Sequence, residues 1–170
     1  MCSTPIDDFF NKTINLEAIL LDKNEISIQV WSSDYLRRFL VFLAANYFEN
    51  EITEVLSNFV TNKSSHESVV ELLNKIMSGK YYQYFDWNTK NVNKFFSYFG
   101  EKFKKQAICD VENDPELESG IMAFLEIGNT RNSLVHERFD SVNIPKTSAE
   151  YYELYKKSII FITYLKNKLK

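Results

Sequence analysis

Apolar residues recur along this chain mainly at three- and four-residue intervals, and that spacing predicts helices over most of its length. Thr4 before Pro5, with Asp7 and Asp8 in the next turn, predicts a capped helix running to about Leu21. "NEISIQVWS" then alternates apolar and polar at Ile26, Ile28 and Val30. One isolated strand would lack a partner, so this stretch is expected to be an extended linker. A long helix is expected from about Ser33 to Asn62, carried by Leu36, Phe39, Leu40, Leu43, Tyr47, Ile52, Val55, Leu56 and Phe59. Apolar residues from Phe39 to Ala45 go nearly all the way round it, the mark of a central buried helix.

Further on, Ser64 and Glu67 have capping-box spacing ahead of a helix from Val69 to Met77, which Gly79 ends. "KYYQYFDW" is an aromatic connector, and "NVNKFFSYFGEKFKK" belongs to a helix expected to begin near Asp86 to Thr89. Asp114 and Pro115 open the next helix, and Thr147 with Glu150 opens a last one with Tyr152, Tyr155, Ile159, Ile162 and Leu165 inward. The expectation is an all-α bundle of five or six helices, two of them long, in one domain over residues 1–170.

Composition narrows this little. Four glycines and three prolines are few turn residues, which favours helices over a many-stranded sheet. A net charge of −3 gives no global field toward nucleic acid, so any RNA contact must be local. Cys2 and Cys109 are too far apart for a metal motif and form no disulfide framework, which points to a reducing cytoplasm. The start "MCSTPIDDFF" has no basic n-region, so it does not read as a signal peptide. The longest apolar run, Phe39 to Ala45, is too short for a bilayer.

One stretch stands apart. "IGNTRNSLVHERF" ends the helix opened by Asp114 and Pro115. On a wheel of ~100° per residue, Leu117, Ile121, Phe124, Leu125, Gly128, Val135 and Phe139 fall in one apolar stripe. Asn132 lands in mid-stripe, with Arg131 near one edge and His136 near the other, ~140° apart. Gly128, one turn before Asn132, would let another backbone approach closely. Burying Arg, Asn and His on one face is costly unless each finds a partner. They either cap other helices inside the bundle or line a cleft completed by water, a ligand or a second subunit.

The spacing Arg131-Asn132-Ser133-Leu134-Val135-His136 resembles the R-x-x-x-x-H motif of HEPN (higher eukaryotes and prokaryotes nucleotide-binding) domains. "RRFLVFLAANYFENEITEVL", "FDWNTKNVNKFFSYFGEKFKK" and "KTSAEYYELYKKSIIFITYL" are similar to the RiboL-PSP-type prokaryotic subgroup, over about Ser33 to the end. Residues 1–30 would then be an N-terminal extension. The resemblance implies a helical bundle that dimerises through the motif-bearing helix. It implies a metal-independent endoribonuclease with no cofactor, serving as a toxin or anti-phage effector, with an antitoxin or defence-system protein as partner. The alternative within the family is a non-catalytic module that binds RNA, nucleotide or protein.

The residue chemistry agrees. An imidazole has an unperturbed pKa near ~6.5 and moves protons at neutral pH. His136 is therefore the candidate acid and base for attack by an RNA 2′-hydroxyl, and Arg131 the candidate to hold the phosphate. Asn132 would orient either one. Glu49 and Asn46, on the long helix, are candidates to support the motif from behind. Related toxins modified by nucleotidyltransferase antitoxins carry a tyrosine two positions after the histidine; here Arg138 stands there and adds positive charge. Lys102, Lys104 and Lys105 form a small basic run suited to an RNA backbone or to a solvated helix end. His66 reads as solvated, "DVENDPELE" as an acidic helix entry, and Tyr81, Tyr82 and Tyr84 as packing residues.

Overall fold

The computed structural model describes residues 4–137 and 142–170. Among them the chain forms eight helices and no strand: α1 (Pro5–Asp22), α2 (Ile26–Lys63), α3 (Glu67–Met77), α4 (Tyr81–Tyr84), α5 (Asn93–Ser97), α6 (Glu101–Glu112), α7 (Pro115–His136) and α8 (Ser148–Lys168). The all-α bundle expected from the periodicity is what forms. The count exceeds five or six because two helices, α4 and α5, are only a turn or so long.

Three helix starts follow their local chemistry. Thr4 and Asp7 close a reciprocal box, the Thr4 N–H donating to Asp7 Oδ2 at 2.8 Å and the Asp7 N–H to Thr4 Oγ1 at 3.2 Å. Asp114 Oδ1 accepts from the N–H groups of Glu116 and Leu117, both at 3.0 Å. Thr147 and Glu150 form a second box. The Ser64–Glu67 box does not form: Ser64 Oγ accepts from the His66 N–H at 3.3 Å, and α3 opens at His66 without a side-chain cap. His66 itself is exposed.

Two expectations about extent are corrected. Residues 26–32 are helical, so α2 begins seven residues before Ser33. The alternation of Ile26, Ile28 and Val30 is overridden by tertiary packing. Asn24 takes a positive φ of 58°, reversing the chain, and the Ser33 hydroxyl donates to Glu17 of α1 at 2.5 Å. The stretch after the aromatic connector is also not one helix from residues 86–89. An Asx turn at Asp86, whose Oδ1 accepts from the Asn88 N–H at 3.3 Å, precedes α5. Gly100, at φ +89°, then breaks α5 from α6.

Helices α7 and α8 form the closest pair and run antiparallel. A Cβ at Gly120 would lie 2.9 Å from the Lys157 carbonyl oxygen, so only glycine permits this approach. Helix α2 runs parallel to α8, with Phe48 stacked on Tyr155 at 5.7 Å and Glu51 paired with Lys166, and hence antiparallel to α7. Phe124 joins the layers, 5.6 Å from Phe48, 5.1 Å from Phe161 and 5.0 Å from Phe85. Each such aromatic pair adds about 0.5–1.5 kcal/mol beyond its burial. The stretch from Phe39 to Ala45 is not buried all round: Leu40, Val41, Ala44 and Ala45 face the core, while Phe39 is 51 % exposed.

Candidate functional site

The last turns of α7 carry Arg131, Asn132 and His136. On α7 the buried residues Leu117, Gly120, Ile121, Ala123, Phe124, Leu125, Ile127, Gly128 and Leu134 cover roughly 200° of the wheel, twice the expected stripe. Arg131 falls near the middle of that arc, Asn132 at its rim and His136 outside it. Asn132 is therefore half-buried rather than central, and His136, the terminal residue of the helix, is exposed. Val135 lies within the arc yet is 46 % exposed, because the helix ends beyond the core there.

Arg131 is half-buried and has a partner. Its guanidinium carbon lies 3.9 Å from the centroid of the Tyr82 ring, a cation–π contact. Its Nη1 also donates to Asn132 Oδ1 at 3.4 Å, a long bond that ties the two motif residues only loosely. Burial pushes the Tyr82 phenol up to about 12; the Arg131 charge opposes this and the neighbouring Glu49 carboxylate adds to it. Glu49, half-buried on α2, thus stands beside the ring that carries Arg131. Asn46 is exposed three residues earlier on α2.

What holds Tyr82 is a second aromatic. The Trp87 indole N–H donates to the Tyr82 carbonyl at 2.9 Å, and the two rings lie 5.8 Å apart. The Trp87 ring fills the notch left by Gly128, where a Cβ would sit 2.0 Å from its Cζ3. The close approach expected at Gly128 is thus made by a side chain, not a backbone. Reading the connector as plain packing missed Tyr82 and Trp87. The available signal was a glycine on the buried arc of the motif helix together with a loop rich in aromatics.

Other candidates lie apart. Lys102 and Lys105 are exposed and Lys104 half-buried in the first turns of α6, and nothing among the described residues joins them to Arg131 or His136. Arg138, Phe139 and Cys2 lie outside the described residues. A cavity of about 380 Å³ opens beside α7 one to three turns before the motif, bordered by Trp87, Asn88, Met122, Glu126, Asn129 and Lys157. Lys146 pairs with Glu126 at its edge. No group of three or more His, Cys, Asp or Glu among the described residues could hold a metal ion. No helix of the described residues is long and apolar enough to cross a membrane.

Neither a curated protein nor a solved structure matches the chain. A family model described as RiboL-PSP-HEPN matches residues 7–170, taking in α1 as well as the motif helix. The chain belongs to the RiboL-PSP-HEPN family.

Proposed function

We propose that the protein is a homodimeric, metal-independent endoribonuclease in which Arg131 and His136 act on the scissile phosphate. The observation that carries this is the division of labour within the motif: an Arg held in place by Tyr82 and an exposed His at the helix end. The two project ~140° apart on α7, so one chain presents half of a site, and a two-fold copy supplies the rest. The 2′-oxygen attacks phosphorus and the bond to the 5′-oxygen breaks. One His136 takes the 2′-hydroxyl proton and the other gives a proton to the leaving oxygen, while Arg131 meets the charge on the phosphate. Products are a 2′,3′-cyclic phosphate and a 5′-hydroxyl. Asn132, at the rim, orients the phosphate. Lys102, Lys104, Lys105 and Arg138 are assigned to the RNA backbone outside the site, and the amides and aromatic edge of the cavity beside α7 suit a neighbouring base.

The test is RNA cleavage by purified protein in EDTA, beside His136→Ala and Arg131→Ala with unchanged circular dichroism. Loss of cleavage in both variants is the expected result; equal cleavage in all three removes the assignment, as does a strict need for divalent metal with 5′-phosphate products. The cellular role, a toxin or anti-phage effector restrained by a partner protein, rests on the family. It is tested by growth arrest on expression that His136→Ala abolishes.

A second reading is favoured by the half-buried place of Arg131: a non-catalytic module that binds RNA. It predicts wild-type binding without cleavage, weakened by Arg131→Ala and indifferent to His136→Ala.

A further inference from the structure

Helix α7 carries a second polar face beside the motif. Met122, Glu126 and Asn129 fall within roughly 60° of one another on the wheel and line the cavity of about 380 Å³. His136 projects within roughly 20° of Asn129, two turns further on and about 10 Å along the axis. Arg131 projects to the opposite side of α7. The cavity therefore belongs to the His136 side, on the path of a strand that passes that residue.

The cavity has apolar walls and unclaimed polar groups. Trp87 offers only a ring edge, since its indole N–H is committed to the Tyr82 carbonyl. Met122, 37 % exposed, and Leu154 of α8 add apolar surface. Asn88 and Asn129 are exposed, and their carboxamides make no hydrogen bond among the described residues. Lys157, also exposed, has no ion-pair partner among them. Glu126 is half-buried, its charge balanced by Lys146.

Glu126 and Asn129 stand three residues apart, so carboxylate and carboxamide are neighbours on one helix face. We propose that this cavity holds an adenine of the RNA strand that passes His136, a neighbour of the scissile nucleotide. The Asn129 carboxamide pairs bidentately, its NH2 donating to adenine N7 and its oxygen accepting from N6. The second N6–H donates to Glu126, and Asn88 supplies a further donor from the connector. Lys157 meets a flanking phosphate. Guanine and uracil would set a carbonyl oxygen against the Glu126 carboxylate where adenine sets its amino group, and cytosine lacks N7. The volume is at the small end for ligand sites, which fits one base rather than a larger group. The assignment rests on the ribonuclease reading for its strand, though not for its choice of base.

Binding measured without cleavage tests the pocket. The probes are 2′-O-methyl oligouridylates carrying one A, C or G at each position in turn, which lack the attacking hydroxyl. With Trp31→Phe, Trp87 is the only tryptophan of the chain, and its emission reports occupancy. One placement of adenine should tighten binding about tenfold over all-uridine and change that emission, the discrimination of one good bidentate contact. Asn129→Ala should remove the preference. Glu126→Gln, which puts a donor where only acceptors stood, should shift it toward uracil. Asn129 is exposed and unbonded, so its removal leaves the fold intact, which melting curves check. Equal binding of all probes overturns the pocket, as does an adenine preference that survives Asn129→Ala. AMP should compete only weakly; AMP binding as tightly as the oligonucleotide overturns the strand assignment in favour of a free nucleotide. RNA cleavage with no adenine preference sinks the pocket and leaves the ribonuclease standing. A preference that Asn129→Ala abolishes, in a protein that never cuts RNA, does the reverse.

Discussion

Arg131 lies over the Tyr82 ring, its guanidinium carbon 3.9 Å from the centroid, and this cation–π contact gives the motif arginine a partner outside its own helix. Tyr82 is in turn fixed by Trp87 and flanked by Glu49. The motif is thus supported by an aromatic connector remote from it in sequence.

Removing the ring should cost function more than fold. Cation–π contacts contribute about 0.5–2 kcal/mol, and 1.4 kcal/mol is tenfold in rate. Tyr82→Ala is expected to lower kcat/KM for RNA roughly tenfold. Tyr82→Phe keeps the ring and should stay within about threefold of wild type. On an Arg131→Ala background Tyr82→Ala should add nothing, which a merely structural tyrosine would not obey. Steady-state cleavage of a fluorogenic RNA, with melting curves alongside, reads all three.

Gly128→Ala drives a methyl into space that Trp87 occupies, its Cβ 2.0 Å from Cζ3. The indole must move, because the helix backbone cannot. Overpacking of this kind costs about 1–3 kcal/mol. Urea unfolding should show that loss, and the tryptophan emission should shift to the red as Trp87 leaves its notch.

The fold was legible where local chemistry and periodicity agree. Thr4, Asp114 and Thr147 cap helices whose apolar intervals continue for several turns, and all three form. Legibility failed where tertiary contacts decide. The alternation at Ile26, Ile28 and Val30 carries a strand's period, yet a helical hairpin with α1 claims it. The motif was visible because Arg131 and His136 sit in one helix at a recognisable spacing. Glu49 was legible as a support from its place on the long helix, whereas Tyr82 and Trp87 were not, because they come from a connector that only the packed bundle brings to the motif. The wheel itself erred in width: the flanking Ala123, Ile127 and Leu134 are buried too, which moved Arg131 inward and His136 outward.

Acid should loosen the start of α2. Hydrogen bonding from Arg38, against the opposing effect of burial, holds the Asp34 carboxyl below its ordinary value. A carboxylate depressed in the folded state contributes stability above its unfolded pKa, and that contribution is lost as pH falls through the folded value. Wild type should therefore lose stability below about pH 4, while Asp34→Asn loses less over the same range. At neutral pH the variant should already be weaker by about 1 kcal/mol, at the low end for charged hydrogen bonds because Asp34 is a third exposed. Urea midpoints at pH 7 and pH 3.5 decide it; parallel losses in both proteins would remove Asp34 from the account.

Alkali tests the Arg131–Tyr82 contact directly. Burial pushes the Tyr82 phenol up to about 12, with Arg131 pulling down and Glu49 pushing up. A phenol raised in the folded state contributes stability in full below the unfolded value near ~10 and loses it as pH rises through the folded one. Difference absorbance near the tyrosinate band, with Tyr82→Phe subtracted, isolates this one group. Arg131→Ala should raise its midpoint further, because the phenolate loses its neighbouring cation. Glu49→Gln should lower it, because a like charge is gone. Opposite shifts from two residues on different helices would show both acting on one ring. If neither substitution moved the Tyr82 midpoint, the cluster would not exist in solution and Arg131 would be free of its aromatic seat.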